Sequence, residues 1–296
     1  MTDHRPAEIT VSMPTYLTPE LCLRRAVSAV LSQRLTSFRL VIVADGEERG
    51  AVLDKLGSIA DDERVIVFQV AHNYGRYFAD AVTLMACDTP YWTIHDSDDQ
   101  AGVAWLGEMH DIAIDQNSDI VYTDQHVMPM VGQRVFDPVK LPGEYARRLR
   151  CVQFGHYAHG AGLWRTSALR LIGGPSPAFR VGYDSMLSTI AVAELDPSVI
   201  RATPTGASLY TRHKRHGSLT TSAQTGMRSD YRRRQRELMA GLWCGIQKEI
   251  HRSGATSAGE RCRIIGEMVR RFNGEIMLGT VEHEARALRA AMRGES

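Results

Sequence analysis

Three carboxylates fall within four residues at Asp96-Ser97-Asp98-Asp99. Like charges this close repel each other unless a cation or hydrogen bonds offset them. Hard divalent ions such as Mg²⁺ and Mn²⁺ take oxygen ligands, commonly one or two carboxylates completed by substrate phosphates. The plainer alternative is a solvated acidic turn that caps the next helix. A further carboxylate, Asp45, precedes Gly46. It reads either as an ordinary Asp-Gly turn or as the acceptor of a hydrogen bond from a nucleobase or ribose. Arg212-His213-Lys214-Arg215-His216 places two imidazoles three residues apart in a basic run, and His156/His159 repeat that spacing. With no H-E-x-x-H and no cysteine ligand nearby, structural zinc is disfavoured. Such a loop is either solvated or clamps a diphosphate beside an acidic metal site. Arg228, Arg232, Arg233, Arg234 and Arg236 read as a solvated helix face with salt-bridge partners, in preference to a nucleic-acid or membrane patch.

The elements that must position these groups alternate. Ile9 to Met13 is a short strand ending in Pro14-Thr15-Tyr16. A helix follows, with Thr18 as cap, Pro19 and Glu20 in the first turn, and Leu23, Val27, Val30 and Leu31 at helical spacing. Leu40 to Val43 is the second strand, running into Asp45-Gly46. Residues 50–60 read as a helix, Val65 to Val70 as a strand, Ala79 to Ala86 as a helix, and Tyr91 to Ile94 as a strand entering the acidic cluster. Residues 103–116 read as helical and Ile120 to Tyr122 as a fifth strand. Short apolar strands alternating with helices mean βαβ units and a largely parallel sheet. In such sheets ligands bind outside the carboxyl ends of the strands, where Asp45 and residues 96–99 both fall. Residues 125–160 are irregular. Asp184 opens a helix over 184–194, and Ser208 to Thr211 reads as an edge strand. Two apolar stripes, Leu238 to Ile250 and Ile264 to Ile276, predict helices over 228–252 and 258–292.

Composition narrows the classes. At 296 residues and 44% apolar, the chain buries a core without disulfide staples. Lysine plus arginine (35) nearly cancels aspartate plus glutamate (34), so nucleic acid is not an expected partner. The charge is uneven: residues 1–204 carry 18 basic and 25 acidic side chains, and residues 205–296 carry 17 and 9. An acidic body suits a divalent cation, and a basic tail suits phosphate. Five scattered cysteines without a C-x-x-C, together with the absence of an apolar signal segment, predict reduced thiols and a cytoplasmic location. No apolar run reaches 18 residues, so no membrane span is expected. The chain lacks a G-x-x-x-x-G-K-[ST] loop, a G-x-G-x-x-G after a strand and a G-x-S-x-G elbow.

Taken in chain order, the motifs resemble those of the family 2 glycosyltransferases with the GT-A fold. They are Val11 to Tyr16, Ala26 to Gln33, Phe38 to Gly46, Asn73-Tyr74-Gly75, His95 to Asp99, Tyr122-Thr123-Asp124, Gly160 to Gly174, Gly182-Tyr183-Asp184 and Tyr210 to Thr220. The resemblance covers roughly residues 8–222. It implies a Rossmann-like, mostly parallel sheet flanked by helices. It further implies a catalytic domain over 1–222 (nucleotide part about 8–124, acceptor part about 125–222) and a C-terminal helical extension over 223–296. By the same resemblance, Pro14, Thr15, Tyr16, Asp45, Asn73, Arg76, Asp96, Asp98 and Arg212 meet a UDP-, GDP- or dTDP-sugar. Asp98, Asp99 and His213 or His216 meet Mn²⁺ or Mg²⁺, and Asp184 is the base that deprotonates the acceptor. Two positions depart from the pattern. Ala44 stands for the first aspartate of a pair, which bears on nucleotide preference. Tyr183 stands where an acidic residue often precedes the base, which bears on acceptor choice.

The implied reaction is inverting transfer of a sugar to a glycan, lipid-linked, peptide or small-molecule acceptor, with no covalent nucleophile. A homodimer through the C-terminal helices is a further expectation. Two other readings stand beside it. A nucleotidyltransferase would usually carry a Gly-rich basic loop after the first strand, where this chain has Pro14-Thr15-Tyr16-Leu17. A non-catalytic sugar-nucleotide binding protein is distinguished by whether Asp99 and Asp184 face one cleft.

Overall fold

The computed structural model describes residues 6–123, 125–128, 162–195, 197–203 and 209–295. His156, His159, Gly160 and Asp124 lie outside them.

Four parallel strands form the heart of the sheet. β1 (Ile9–Thr15), β2 (Phe38–Asp45), β3 (Val65–Val70) and β4 (Tyr91–Ile94) lie in the order β3-β2-β1-β4. Their crossovers run through α1 (Glu20–Leu31), α2 (Arg49–Leu56) and α3 (Arg76–Ala86). After α4 (Trp105–Asp115) comes β6 (Ile120–Tyr122), and after it β8 (Leu163–Arg165). β8 lies antiparallel between β4 and β6, and β9 (Ile200–Ala202) closes the far edge parallel to β6. The seven-stranded sheet is therefore mostly parallel. A second sheet has β10 (Tyr210–His213) at its centre, between β5 (Gln100–Ala101) and β7 (Gln125–Met128). The edge strand expected over 208–211 is thus a central strand, shifted two residues along the chain.

β1 and β2 are buried on both faces, which explains their near-continuous apolar runs. The alternation along β2 divides the packing. Leu40, Ile42 and Ala44 face a core shared with Leu23, Val27, Leu56 and Trp105, whereas Val41 and Val43 face Phe78 and Val82 of α3. Ala44 is fully buried in that first core. The helix expected over 50–60 ends at Leu56 and continues as a 3₁₀ turn through Asp61. The helix expected from Ala79 starts at Arg76. Thr18 does not cap α1: Pro19 holds the N-cap position without a side-chain bond, and the Thr18 hydroxyl turns to Thr15 and Ser97.

α5 (Thr166–Leu171) and α6 (Tyr183–Glu194) precede three C-terminal helices, α7 (Asp230–Ser253), α8 (Ala258–Asn273) and α9 (Glu275–Met292). Ser229 caps α7, and a reciprocal Ser257/Glu260 capping box starts α8. The single helix expected over 258–292 is broken at Gly274, whose φ of +75° an L side chain rarely adopts. Much of both stripes is buried against this same chain, with Leu238 and Phe272 left exposed. Met239, Leu242, Ile246, Ile265 and Val269 join Trp164, Tyr183 and Ile190 in one core. Val281, Ala285 and Leu288 pack on Val43, Phe78 and Val82. No helix among the described residues is long and apolar enough to cross a membrane.

Candidate active site

The strand order brings Asp45, at the end of β2, and residues 95–99, after β4, to either side of the end of β1. Pro14-Thr15-Tyr16 therefore stands between them and is tied to both. The Leu17 amide donates to Glu47 Oε2 at 2.9 Å, and the Thr18 and Ser97 hydroxyls are hydrogen-bonded at 2.8 Å. Tyr16 is 47% exposed, leaving its ring open to a ligand.

Asp45 is only 3% exposed and shapes a turn. Its Oδ1 accepts the Tyr74 amide at 2.9 Å and its Oδ2 the Gly75 amide at 2.7 Å. Burial pushes its carboxyl up, opposed by those two bonds and by Arg180. Arg180 in turn donates to the Asn73 carbonyl and, at 3.3 Å, to Asn73 Oδ1. Asp45 and Asn73 are thus brought together through the turn that links β3 to α3.

The acidic cluster is held by cations from three directions. Arg76, the first residue of α3, pairs with Asp96 at 3.0 Å and stands 3.9 Å from Asp80. Arg215 donates to Asp98 Oδ2 at 2.5 Å, and Arg25 donates to the Asp98 carbonyl. Asp99, 3% exposed, accepts the His213 amide at 2.8 Å. Burial first, then the neighbouring Asp96 and Asp98, push the Asp99 carboxyl well above the usual range, with Arg212 and the His213 amide opposing. His95 beneath the cluster is buried against Trp105 and Tyr210, and burial lowers its imidazole to about 4, so it is neutral.

Among the described residues, no three His, Cys, Asp or Glu side chains form a self-contained metal cage. Ions that share their shell with substrate phosphates need fewer. Asp99 supplies a crowded carboxylate that a cation would relieve. His213 Nε2 is buried with no hydrogen-bond partner among the described residues. These donors fit a divalent ion bound jointly with a diphosphate. His216 is exposed on the next turn.

Asp184 is in the first turn of α6, but Gly182 occupies the N-cap position, so Asp184 does not cap the helix. Its Oδ1 accepts the Tyr77 hydroxyl at 2.9 Å, and that same hydroxyl accepts the Asp184 amide at 3.2 Å. The two halves of the site meet through arginines. Arg212 is attracted by Asp96, Asp99 and Asp184 alike, and Arg76 by Asp96, Asp80 and Asp184. Arg76 and Arg212 thus lie within electrostatic reach of both the strand-end carboxylates and Asp184, which links these groups into one charged candidate site. Tyr183 does not line it: its ring is fully buried, stacked on Phe179 and edge-on to Tyr77. It is a core residue, because the first turn of α6 turns it inward and Asp184 outward.

Sequence reading missed Tyr77, Asp80, Arg25, Arg180 and Arg215 as candidate site residues. Tyr77 and Asp184 are 107 positions apart. No local pattern marks such a pair.

Residues 10–171, more than half of the chain, match glycosyl transferase family 2, and the chain belongs to that family. No curated protein matches the chain. Several solved structures share its fold. S. aureus TarS 1–349 superposes with a TM-score of 0.56 at 16% identity, over 70% of this chain and 60% of that one. The same TarS fragment in complex with UDP-GlcNAc gives 0.54 at 16% identity, over 71% and 60%. The mannosyltransferase PcManGT from Pyrobaculum calidifontis, in complex with GDP-Man and Mn²⁺, gives 0.56 at 16% identity, over 97% and 76%. The chain spans about 60% of the length of the TarS fragment. These neighbours are GT-A glycosyltransferases, and the mostly parallel sheet described above is of that kind.

Proposed function

We propose that this protein transfers a sugar from a nucleoside-diphosphate sugar to an acceptor hydroxyl, with inversion and with Asp184 as general base. The observation that supports the reading is that Arg76 and Arg212 each lie within electrostatic reach of both the strand-end carboxylates and Asp184. Family membership supports the reaction class. UDP-GlcNAc and GDP-mannose, which the structural neighbours bind, are the first donors to try.

Each part of the chain has a task in this scheme. Tyr16 offers a ring face to the nucleobase, and the turn anchored by Asp45 shapes the nucleotide end. Asp98 and Asp99, with His213, would hold a Mn²⁺ or Mg²⁺ ion, whose chemistry there would be to offset negative charge on the diphosphate. Arg76 and Arg212 add fixed positive charge on the same side of the cleft. Asp184 takes the proton from the acceptor hydroxyl as its oxygen bonds to the anomeric carbon and the bond from that carbon to the diphosphate breaks. The Tyr77 hydrogen bond orients the carboxylate.

The test is Asp184→Asn, with UDP-GlcNAc and GDP-mannose screened in the presence of Mn²⁺. The variant is expected to fold and bind donor as the natural protein does and to turn over at least about 100-fold more slowly. Turnover within a few-fold of the natural protein, with donor saturating, refutes the role of Asp184.

A further inference from the structure

Helix α7 presses one face onto the turn that launches α6. Gln235 Oε1 accepts the Arg180 amide at 3.0 Å. A Cβ at Gly182 would lie 3.3 Å from the Met239 methyl and 3.9 Å from an Arg232 Nη. Residues 232, 235 and 239 are spaced three and four apart, so one stripe of α7 covers turn 180–182. Gly182 has φ +82° and directly precedes Tyr183 and Asp184, so the aim of the Asp184 carboxylate depends on that turn. The same turn reaches the nucleotide end, because the Arg180 guanidinium donates to Asn73.

Arg232 does more than cover the turn. It is 6% exposed, and its Nε donates to the Thr225 carbonyl and its Nη2 to the Leu219 carbonyl, both at 2.8 Å. Those carbonyls belong to the loop that continues from the basic run after β10. A buried guanidinium needs a compensating negative charge. The carboxylate that attracts Arg232 is Asp184. The groups facing Asp184 are Tyr77, Arg76 and Asp80 on α3, Arg212 on β10 and Arg232 on α7.

We propose that Arg232 is a positioning residue of the site: it staples the loop after β10 over the Gly182 turn and supplies a fixed positive charge that Asp184 faces. The C-terminal helices are then a working part of the cleft, in addition to their share of the core. The inference builds on the role proposed for Asp184, but it is tested without relying on turnover.

The experiment is a carboxyl ¹³C NMR titration of the full chain labelled at aspartate, with the Asp184 signal assigned by its loss in Asp184→Asn. Arg232→Gln is expected to raise the Asp184 midpoint by about one pH unit, the lower end of the effect of removing an opposite charge at close range. Arg232→Lys, which keeps the charge, is expected to shift it much less. Both variants lose the two-carbonyl fork, so amide exchange over residues 218–229 should quicken at least about tenfold. An unchanged midpoint in Arg232→Gln overturns the electrostatic half, and unchanged protection of 218–229 in both variants overturns the staple. If Arg232→Gln does not fold, Arg232→Lys decides through exchange, and unchanged protection there overturns the proposal. An active Asp184→Asn would refute the base while leaving this measurement valid, so the two ideas fail separately.

Discussion

Asp80 offers the sharpest quantitative test of the site's electrostatics. It is fully buried on α3, with Oδ1 accepting the Ser12 hydroxyl at 2.8 Å and Arg76 Nε 3.9 Å from Oδ2. Burial raises its carboxyl from 3.8 to about 7, against the pull of Arg76 and Ser12. The folded protein therefore holds the Asp80 proton more tightly than the unfolded chain does. Its contribution to stability is fully present below pH 3.8 and is lost as pH rises towards 7, at roughly 1.4 kcal/mol per pH unit. The difference of 3.2 units between 3.8 and 7 sets an upper bound on the order of 4 kcal/mol. Asp80→Asn keeps the shape and the Ser12 bond but cannot ionise. Urea denaturation at pH 4.5, 5.5, 6.5 and 7.5 should show its advantage over the natural protein growing with pH and levelling off above about 7. A stability difference that stays constant across this pH range would refute the reasoning.

Three other expectations concern the site and its scaffold. Asp45→Ala removes two amide bonds to a carboxylate, each worth about 1.5–3 kcal/mol, so both stability and nucleotide affinity should fall; unchanged melting together with unchanged calorimetric binding would refute the anchoring role. Chelation with EDTA, or Asp99→Ala, is expected to abolish turnover that Mn²⁺ restores only to the natural protein; full activity in excess chelator would refute metal dependence. Gly266→Ala should destabilise by about 1–3 kcal/mol in denaturant, because its Cβ would lie 2.3 Å from the Leu171 carbonyl oxygen where α8 crosses α5.

The chain's own pattern determined the βαβ alternation, the parallel core strands and the placement of Asp45 and residues 96–99 at strand ends. Those features rest on periodicity within single elements, and a strand buried on both faces writes its environment into consecutive residues such as Leu40 to Val43. The two C-terminal apolar stripes were legible for the same reason. The stripes carried no address, however. Only the tertiary structure showed that Met239 and Leu242 pack behind α6 and that Val281 and Leu288 pack on α3. Gly274 broke the second helix because φ +75° belongs to a particular turn, not to a stripe. Thr18 read as a cap, because its type and spacing suit one, yet its hydroxyl found Ser97 79 positions away. The side-chain contacts of the candidate site arise in the same non-local way. Tyr77 donates to Asp184, Arg215 pairs with Asp98, and Arg232 donates to the Leu219 and Thr225 carbonyls. A side chain's partner is chosen by which elements the fold stacks together, and no spacing along the sequence encodes that choice.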